Sequence, residues 1–509
     1  MGTVACVYAV GLSDYALREE LPGGTTAFRS VVEKVRKLPE LEGAFLLTDR
    51  SLEDFTGKWP DELGPVVTEG YGTAAQVFKT LQAQSGDREQ LFFLWGDTPL
   101  VDLDLSEKMY RRHVKYYASY TFADGFPLGL SPEILRVEVL PQLRQLAERH
   151  EVALDRGMIF GLIQKDINAF DLETEIAPKD QRLLRLLLAA DTRRNYLLLC
   201  SLMEKGGENA ETVMEVAENQ AEVLRSLPAY LQVQINEACP HSCLFCPYPQ
   251  FAVEGKPADL TSLKGEMELE VWKSLLADAH AYCDDLVIGI GLWGEPALHK
   301  QIAGFVKEVL TYPAFRLLIE TSGAGWKNEA LKAIAELDTE RIDWIVSLDA
   351  AGEQTYRRLR GEQWEEVQAA VAMMRELFGD GKVHVQAVRM KENEEELEQF
   401  YRRWKNEGIP LIIQKYDHFC GFLPDRKVTD LSPLTRFPCR HLKRDLAVLM
   451  DGSVRMCRED LKGGYPVGNI FEEGIQAVWE KMAPYYHRHI KEEFPSLCEN
   501  CDEYYTFNF

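Results

Sequence analysis

Residues 230–247 read Tyr-Leu-Gln-Val-Gln-Ile-Asn-Glu-Ala-Cys-Pro-His-Ser-Cys-Leu-Phe-Cys-Pro. The first half alternates apolar and polar residues, the pattern of a strand. The second half places Cys239, Cys243 and Cys246 in a loop directly after that strand. Three thiolates can hold three irons of a four-iron cube and leave the fourth iron open to an outside ligand. Electron-transfer clusters differ, because they use four cysteines. Structural zinc also normally takes four closed ligands. His241 lies between the cysteines, in a loop too short to bring it and its neighbours comfortably to one ion.

Downstream, the pattern becomes regular. Apolar strands are predicted at YLQVQIN, DLVIGIG, RLLIETS, WIVSLDA, VHVQAVR and PLIIQKY. Helical periodicity separates them, as in EVWKSLLADAHAYC, IAGFVKEVL, NEALKAIAEL, EEVQAAVAMMREL and EEELEQFYRRW. Six strand–helix units imply a parallel sheet with right-handed crossovers, either an open barrel or a doubly wound sheet. Functional residues are then expected at the loops after the strands.

After about Phe422 the regularity stops. The last ~80 residues are expected to hold few long helices, and a domain with so little periodic core needs a metal to hold it. Cys439 stands in RFPCRHL, Cys457 in MDGSVRMC, and Cys498 and Cys501 in CENC. Four cysteines so spaced suit either a structural zinc or a fully ligated [4Fe–4S] cluster. The remaining cysteines, Cys6, Cys200, Cys283 and Cys420, are scattered and read as small buried residues. Cys420, in HFCGFLPDR, is the one nearest a metal-like context.

Upstream, VACVYAV, GAFLLTD, QLFFLWGD and SYTFAD alternate with helical patterns, which makes a small α/β domain over residues 1–150. From about Pro132 to Pro228 the pattern is mostly helical, and residues 151–228 read as a helical elaboration or linker. Residues 229–425 form the regular core and 426–509 the cysteine-bearing end. The 509 residues carry a formal net charge of −24, which opposes binding to phosphate backbones and makes nucleic acid a disfavoured partner. No apolar run reaches membrane-span length, and the start lacks a signal-peptide pattern, so a cytoplasmic protein is expected, with no membrane partner.

A CxxxCxxC loop after the first strand of six strand–helix units resembles the radical S-adenosylmethionine superfamily. Further motifs sit at the following strand ends. GLWGEP (Gly291 to Pro296) resembles the family's Gly-Gly-Glu-Pro motif, ETSG its Thr-Asn-Gly, and SLDA followed by TYRRLRG is also typical. The resemblance implies a partial (β/α)6 TIM-like barrel. It implies that Cys239, Cys243 and Cys246 ligate a [4Fe–4S] cluster whose open iron chelates S-adenosylmethionine. Phe245 would lie against the adenine, and Trp293, Gly294 and Glu295 would meet the methionyl ammonium. Thr321, Ser322, Ser347 and Asp349 are candidates for the ribose and carboxylate. Trp293 replaces the first glycine of the usual motif, so its implied role is that of its backbone. Reductive cleavage would give a 5′-deoxyadenosyl radical, with a reductant such as flavodoxin or ferredoxin.

The C-terminal segment resembles a shortened SPASM domain, which implies that Cys439, Cys457, Cys498 and Cys501 hold a second, auxiliary [4Fe–4S] cluster. At the other end, FFLWGDTPLVD and the early VYAVGLSDYALREELPGGTTAFRSVVEKV resemble nucleotidyltransferases, in which an Asp at the position of Asp97 binds magnesium. Only Gly11, Gly23 and Gly24 remain near the first loop, so a degenerate binding or scaffold domain is also open. The whole arrangement resembles spirochaete-type SPASM proteins with a cytidylyltransferase-like N-terminal region. The implied function is modification, by oxidation, of a small metabolite such as a sugar or nucleotide-linked sugar. A maturase acting on a peptide or protein, and a non-catalytic metal-binding protein, are the competing readings.

Overall fold

The computed structural model describes residues 2–248, 265–379, 381–434 and 436–506. The chain divides into two units, residues 1–224 and 225–509. The first is built around β1 (Thr3–Ala9), which is buried along its whole length. A strand covered on both faces reads as an unbroken apolar run, as TVACVYA does. The hairpin β2 (Glu20–Leu21) and β3 (Thr25–Thr26) follows, then β4 (Leu41–Thr48), β5 (Val66–Thr68), β6 (Gln90–Trp95), β7 (Tyr120–Asp124), β8 (Glu133–Arg136) and β9 (Leu172–Ile176). The sheet order is β5-β4-β1-β6-β8-β7-β9, with β1 parallel to β4 and β6 and with β8 antiparallel to both its neighbours. Helices Ala74–Ser85 and Leu140–Arg149 pack on one face with Phe78, Leu81, Leu143 and Leu146 in the core. Asp102 caps helix Leu103–Lys115 through Leu105 N, and its second oxygen accepts from Ala210 N at 2.8 Å, tying in a later helix.

The stretch from Pro132 to Pro228 is less helical than its sequence predicts. Glu133–Arg136 and Leu172–Ile176 are strands of the sheet. Pro141 stands in the first turn of helix Leu140–Arg149, where proline is tolerated, so the apolar residues just before it are free to extend. The leucine-rich run from Arg182 opens as one short helical turn, Arg182–Leu184, then leaves the helix: Leu187 bridges to Leu128, and Leu188 N and Ala190 N donate to Leu128 O and Asp97 O, before the helix Arg193–Glu204 forms.

In the second unit six strands run parallel in sequence order: β10 (Tyr230–Val233), β11 (Val287–Ile290), β12 (Arg316–Thr321), β13 (Ile342–Ser347), β14 (Val383–Arg389) and β15 (Leu411–Lys415). Each crossover is helical, and no strand order reverses, so this is the open-barrel alternative rather than a doubly wound sheet. The sheet does not end at β10. Strand β16 (Asp445–Val448) lies parallel on its free edge, followed by antiparallel β17 (Ser453–Arg455) and β18 (Pro466–Asn469), making nine strands in one sheet. The cysteine-bearing end thus covers an edge that would otherwise expose unpaired backbone groups.

The C-terminal region also holds one long helix, Ile475–Ile490, where few were expected. Its anchor is Trp479, 1 % exposed, whose indole N–H donates to Ser226 O at 2.8 Å. The Arg225 guanidinium lies 3.5 Å from the Trp479 ring centroid and donates to Trp479 O. Among the described residues, no helix is long and apolar enough to cross a membrane. Truncating Trp479 removes a large buried side chain and leaves the Arg225 charge without its aromatic face. Trp479→Ala is expected to destabilise the unit by about 3–5 kcal/mol, measured by denaturant unfolding.

Candidate functional site

The three-cysteine loop is held by the ends of the neighbouring strands. Asn236, just past β10, donates from its side-chain amide to Glu295 O at 2.8 Å. Glu295 N returns a hydrogen bond to Ala238 O at 2.7 Å, and Tyr248 OH donates to Glu237 O. On the other side, Leu244 N donates to Leu359 O at 2.9 Å, at the end of helix Glu353–Leu359. Gly294 has φ +81°, and a Cβ there would lie 2.4 Å from Asn236 O, so only glycine fits this close approach. The three thiols sit close together among protein atoms. Burial pushes the pKa of each up, that of Cys246 to about 12, and Cys239 and Cys246 are pushed further by the charge of Cys243.

The strand-end motifs form one hydrogen-bonded unit. The Glu295 carboxylate is buried and accepts from the Thr321 hydroxyl, Ser322 N (2.7 Å) and Ala297 N (3.2 Å). Thr321 Oγ1 also accepts from the Trp326 indole N–H at 2.9 Å. Glu295, Thr321 and Ser322 therefore lock the loops after β11 and β12 together. Ser347 is the last residue of β13 and is half-buried.

Asp349 departs from the sequence expectation. It is fully buried at φ +61°, and both carboxylate oxygens are engaged inside the protein, one by Arg360 and the other by Val388 N at 2.7 Å. Its carbonyl accepts from Asn393 at 2.8 Å. Burial pushes the Asp349 carboxyl up, and Arg360 draws it back. Burial opposes the Arg360 charge, but Cys243 and Asp349 outweigh it and raise its pKa. The guanidinium lies 5.7 Å from the Phe245 ring centroid, on the floor of the cysteine loop. Arg360 was legible only as part of TYRRLRG. His241 is 3 % exposed, edge-on to Tyr356, and neither ring nitrogen has a hydrogen-bond partner among the described residues. Burial lowers its pKa to about 3, so it is neutral.

Phe245, Cys246 and Trp293 open onto a cleft of about 170 Å³. Trp293 stacks on Tyr248 at 6.0 Å and meets Phe419 at 5.8 Å. Glu320, Lys415, Asp417 and Arg458 bring charge to the same cleft. Lys415 pairs with Asp502 (3.2 Å) and Glu503, and Arg458 with Asp417 (3.2 Å) and Glu459 (3.0 Å). None of these groups stood out in the sequence, because they come in short pairs, around residues 415–417, 458–459 and 502–503, that lie far apart along the chain.

Behind the cleft lies a second, small cavity of about 40 Å³, lined by Cys439, Cys457, Cys498 and Cys501 and also by Cys420. Burial pushes Cys439, Cys457 and Cys498 up, while Cys501 is held down by hydrogen bonds from Cys420 and from Glu503 N. No three of these sulfurs lie within 4.8 Å of one another. A zinc ion with Zn–S near 2.3 Å needs thiolates about 3.8 Å apart in a tetrahedron. The four thiols of the matched domain supply the donor number of a four-iron cube.

In the first unit, Asp97 is buried, with Oδ2 bonded to Arg156 at 2.7 Å and Oδ1 without a hydrogen-bond partner among the described residues. Asp191 lies 3.9 Å from the same guanidinium. Oδ1 is the Asp97 atom with capacity left for a cation.

Residues 233–403 match the radical SAM superfamily and residues 439–502 match the SPASM iron–sulfur cluster-binding domain. The chain is 36 % identical over 365 residues to an uncharacterized protein of Treponema pallidum (strain Nichols), covering 69 % of this chain and 99 % of that one. It is 21 % identical over 281 residues to the S-adenosyl-L-methionine-dependent 2-deoxy-scyllo-inosamine dehydrogenase of Niallia circulans, covering 53 % of this chain and 92 % of that one. A cytidylyltransferase structure from Leptospira borgpetersenii aligns with TM-score 0.37 and 16 % identity, over 44 % of this chain and 95 % of that one. The chain belongs to the radical SAM superfamily and carries a SPASM domain. Membership brings a [4Fe–4S] cluster, S-adenosylmethionine and an auxiliary cluster, and the two cysteine sets have the thiol donors for them.

Two substitutions test how the loop is held. Arg360→Met leaves the buried Asp349 carboxylate without its partner and is expected to cost roughly 3–5 kcal/mol, measured by denaturant unfolding. Adding Asp349→Asn in the same chain should recover part of that loss. Gly294→Ala combines a strained φ with the contact to Asn236 and is expected to cost about 1–3 kcal/mol, with weaker S-adenosylmethionine binding by calorimetry.

Proposed function

We propose that this enzyme dehydrogenates a small polyhydroxylated metabolite, a sugar, cyclitol or nucleotide-linked sugar, and passes an electron from it to the auxiliary site. The observation that carries this reading is the thinness of one wall. Gln232 and Arg458 line both the cleft beside Cys246 and the cavity of the C-terminal cysteines. A substrate in the cleft is then within electron-transfer reach of the four-thiolate site. The dehydrogenase of Niallia circulans, similar over most of its length, supports the same class of reaction.

When bound, the cluster and S-adenosylmethionine supply a 5′-deoxyadenosyl radical that removes a hydrogen atom from a carbinol carbon. The protein's own residues do the rest. Cys239, Cys243 and Cys246 hold three irons. Phe245 offers a ring face to the adenine, and the backbones of Trp293, Gly294 and Glu295, with Thr321, Ser322 and Ser347, line the place of the methionyl and ribose groups. Asp349 acts by positioning Arg360. Oxidation to a carbonyl also releases the hydroxyl proton, and the carboxylate of Asp417, paired with Arg458 at the cleft, offers an acceptor for it. Four cysteines leave no open iron for the substrate, which makes an electron-accepting role the suitable one. A one-electron donor such as flavodoxin or ferredoxin is the expected partner, and reduced thiols at two metal sites suit the cytoplasm. Residues 229–425 are the catalytic core and 426–509 the auxiliary-cluster domain. Residues 1–150 and 151–228 form a nucleotidyltransferase-like scaffold.

Anaerobic reconstitution should load about eight irons per chain and about four in a Cys239→Ala/Cys243→Ala/Cys246→Ala variant. With dithionite, S-adenosylmethionine and a panel of cyclitols and nucleotide sugars, turnover should pair 5′-deoxyadenosine with a product lacking two hydrogens. Cys498→Ala/Cys501→Ala should keep S-adenosylmethionine cleavage and lose that product. Undiminished product from this variant overturns the electron-accepting role.

A further inference from the structure

The first unit brings two carboxylates to one point. Asp97 follows β6, and Gly96 N donates to Tyr8 O at 2.8 Å, which holds this turn against β1. The Asp97 carbonyl accepts from Ala190 N at 2.8 Å, and that bond sets the next residue, Asp191, beside it. A buried carboxylate with a second one next to it needs a cation close by. The chain supplies that cation itself. Asp155 Oδ1 accepts from Gly157 N at 2.8 Å, and Met158 N donates to Asp155 O at 3.0 Å, so Arg156 leaves a fixed turn at the start of helix Met158–Ile163. One nitrogen, Nη2, lies 2.7 Å from Asp97 Oδ2 and 3.9 Å from Asp191 Oδ2. The guanidinium also lies 4.7 Å from the Trp95 ring centroid, and Trp95 packs edge-on against Tyr8 at 4.8 Å.

These donors do not fit the magnesium implied at Asp97. That ion demands oxygens at about 2.0–2.1 Å in a near-ideal octahedron. Here one oxygen of Asp97 and one of Asp191 face a guanidinium, and the other Asp191 oxygen accepts from the Asn195 amide at 2.8 Å. The atom left open, Asp97 Oδ1, belongs to a carboxylate whose charge the guanidinium already balances. An arginine does not give up its charge, so a divalent ion on that oxygen would sit against a permanent cation. The glycines of the first loop point the same way. Gly11 N donates to Asp49 Oδ1 at 3.0 Å, and Gly24 N to Leu21 O at 3.0 Å inside the β2–β3 hairpin. Two N–H groups of the kind that cradle phosphate are thus spent within the chain.

We propose that the Arg156 guanidinium takes the place of a divalent cation between Asp97 and Asp191, so that the first unit holds its carboxylate pair together without a metal. Removing the guanidinium should then turn the pair into a cation site. The inference concerns the first unit alone and stands apart from the dehydrogenation reading of the second.

The test uses the reconstituted full chain, with Mn²⁺ as the probe and free Mn²⁺ read by electron paramagnetic resonance. The parent and Asp97→Asn should give the same binding isotherm. Arg156→Ala should take up about one more Mn²⁺ per chain, about tenfold tighter than the parent's residual binding, and Arg156→Ala/Asp97→Asn should lose it. Arg156→Gln still donates to Asp97 but carries no charge. It serves where Arg156→Ala does not fold, and it too should gain the ion. Mn²⁺ binding by the parent that Asp97→Asn abolishes overturns the proposal, and that comparison needs no variant of Arg156. So does a folded Arg156→Ala or Arg156→Gln that gains no Mn²⁺.

Discussion

The site rests on a reciprocal pair of hydrogen bonds between the ends of β10 and β11. Asn236 reaches Glu295 O, and Glu295 N reaches Ala238 O. A loop bearing three thiols has little reason of its own to hold one shape. Here its entry is stitched to the strand that follows, and its exit is stitched to Leu359. Everything assigned to the cleft then follows from this fixing. Gly294 permits the approach, Glu295 ties the β11 loop to the β12 loop, and Arg360 supports the loop from below on Asp349. In parallel sheets such loops gather at one edge, which makes a few backbone bonds enough to build a common site.

Burial of thiols makes both cysteine sets poor hosts for charge until a metal arrives. The sulfurs of Cys239, Cys243 and Cys246 are all pushed toward the protonated form, as are Cys439, Cys457 and Cys498. Loading a cluster must expel those protons, so metal binding and proton release are linked, and assembly is favoured as pH rises. Arg360 beside Cys243 and the N–H of Glu503 beside Cys501 offset part of the cost. The second set has a further structural consequence. It lies against β16, which completes the sheet on the edge of β10, so cluster and sheet support one another.

The strands of the second unit were readable because a parallel sheet covered on both faces demands continuous apolar runs, and each run ended in a loop of distinctive composition. The cysteine sets were readable from spacing alone. Other features were hidden for identifiable reasons. Helical spacing in ILRVEVL cannot be told from an extended run when a proline follows, and β8 formed there. Asp349 occupied a suitable position at a strand end, but only its backbone angle and its bond to Arg360 reveal that its carboxylate turns inward. Gln232, the Lys415–Asp417 stretch and Arg458 come from distant segments, and no spacing joins them. Cys420 looked like a scattered cysteine because the four cysteines with which it lines a cavity all lie in later segments.

The charged wall between cleft and cavity shows why those hidden residues matter. Arg458 follows Cys457 directly and is held by Asp417 and Glu459, while Lys415 ends β15 and is placed by the sheet. Around them stand Asp417, Glu459, Asp502 and Glu503, an excess of carboxylates over cations in a buried place. Such an excess is costly unless some carboxyls hold protons. Burial and the neighbouring acids push Glu459 and Glu503 well toward the protonated form, against the pull of Arg458 and Lys415. The wall therefore stores protons at the point where the cleft is thinnest toward the auxiliary cluster. An oxidation that sends an electron through this wall has proton-exchanging groups along the same path.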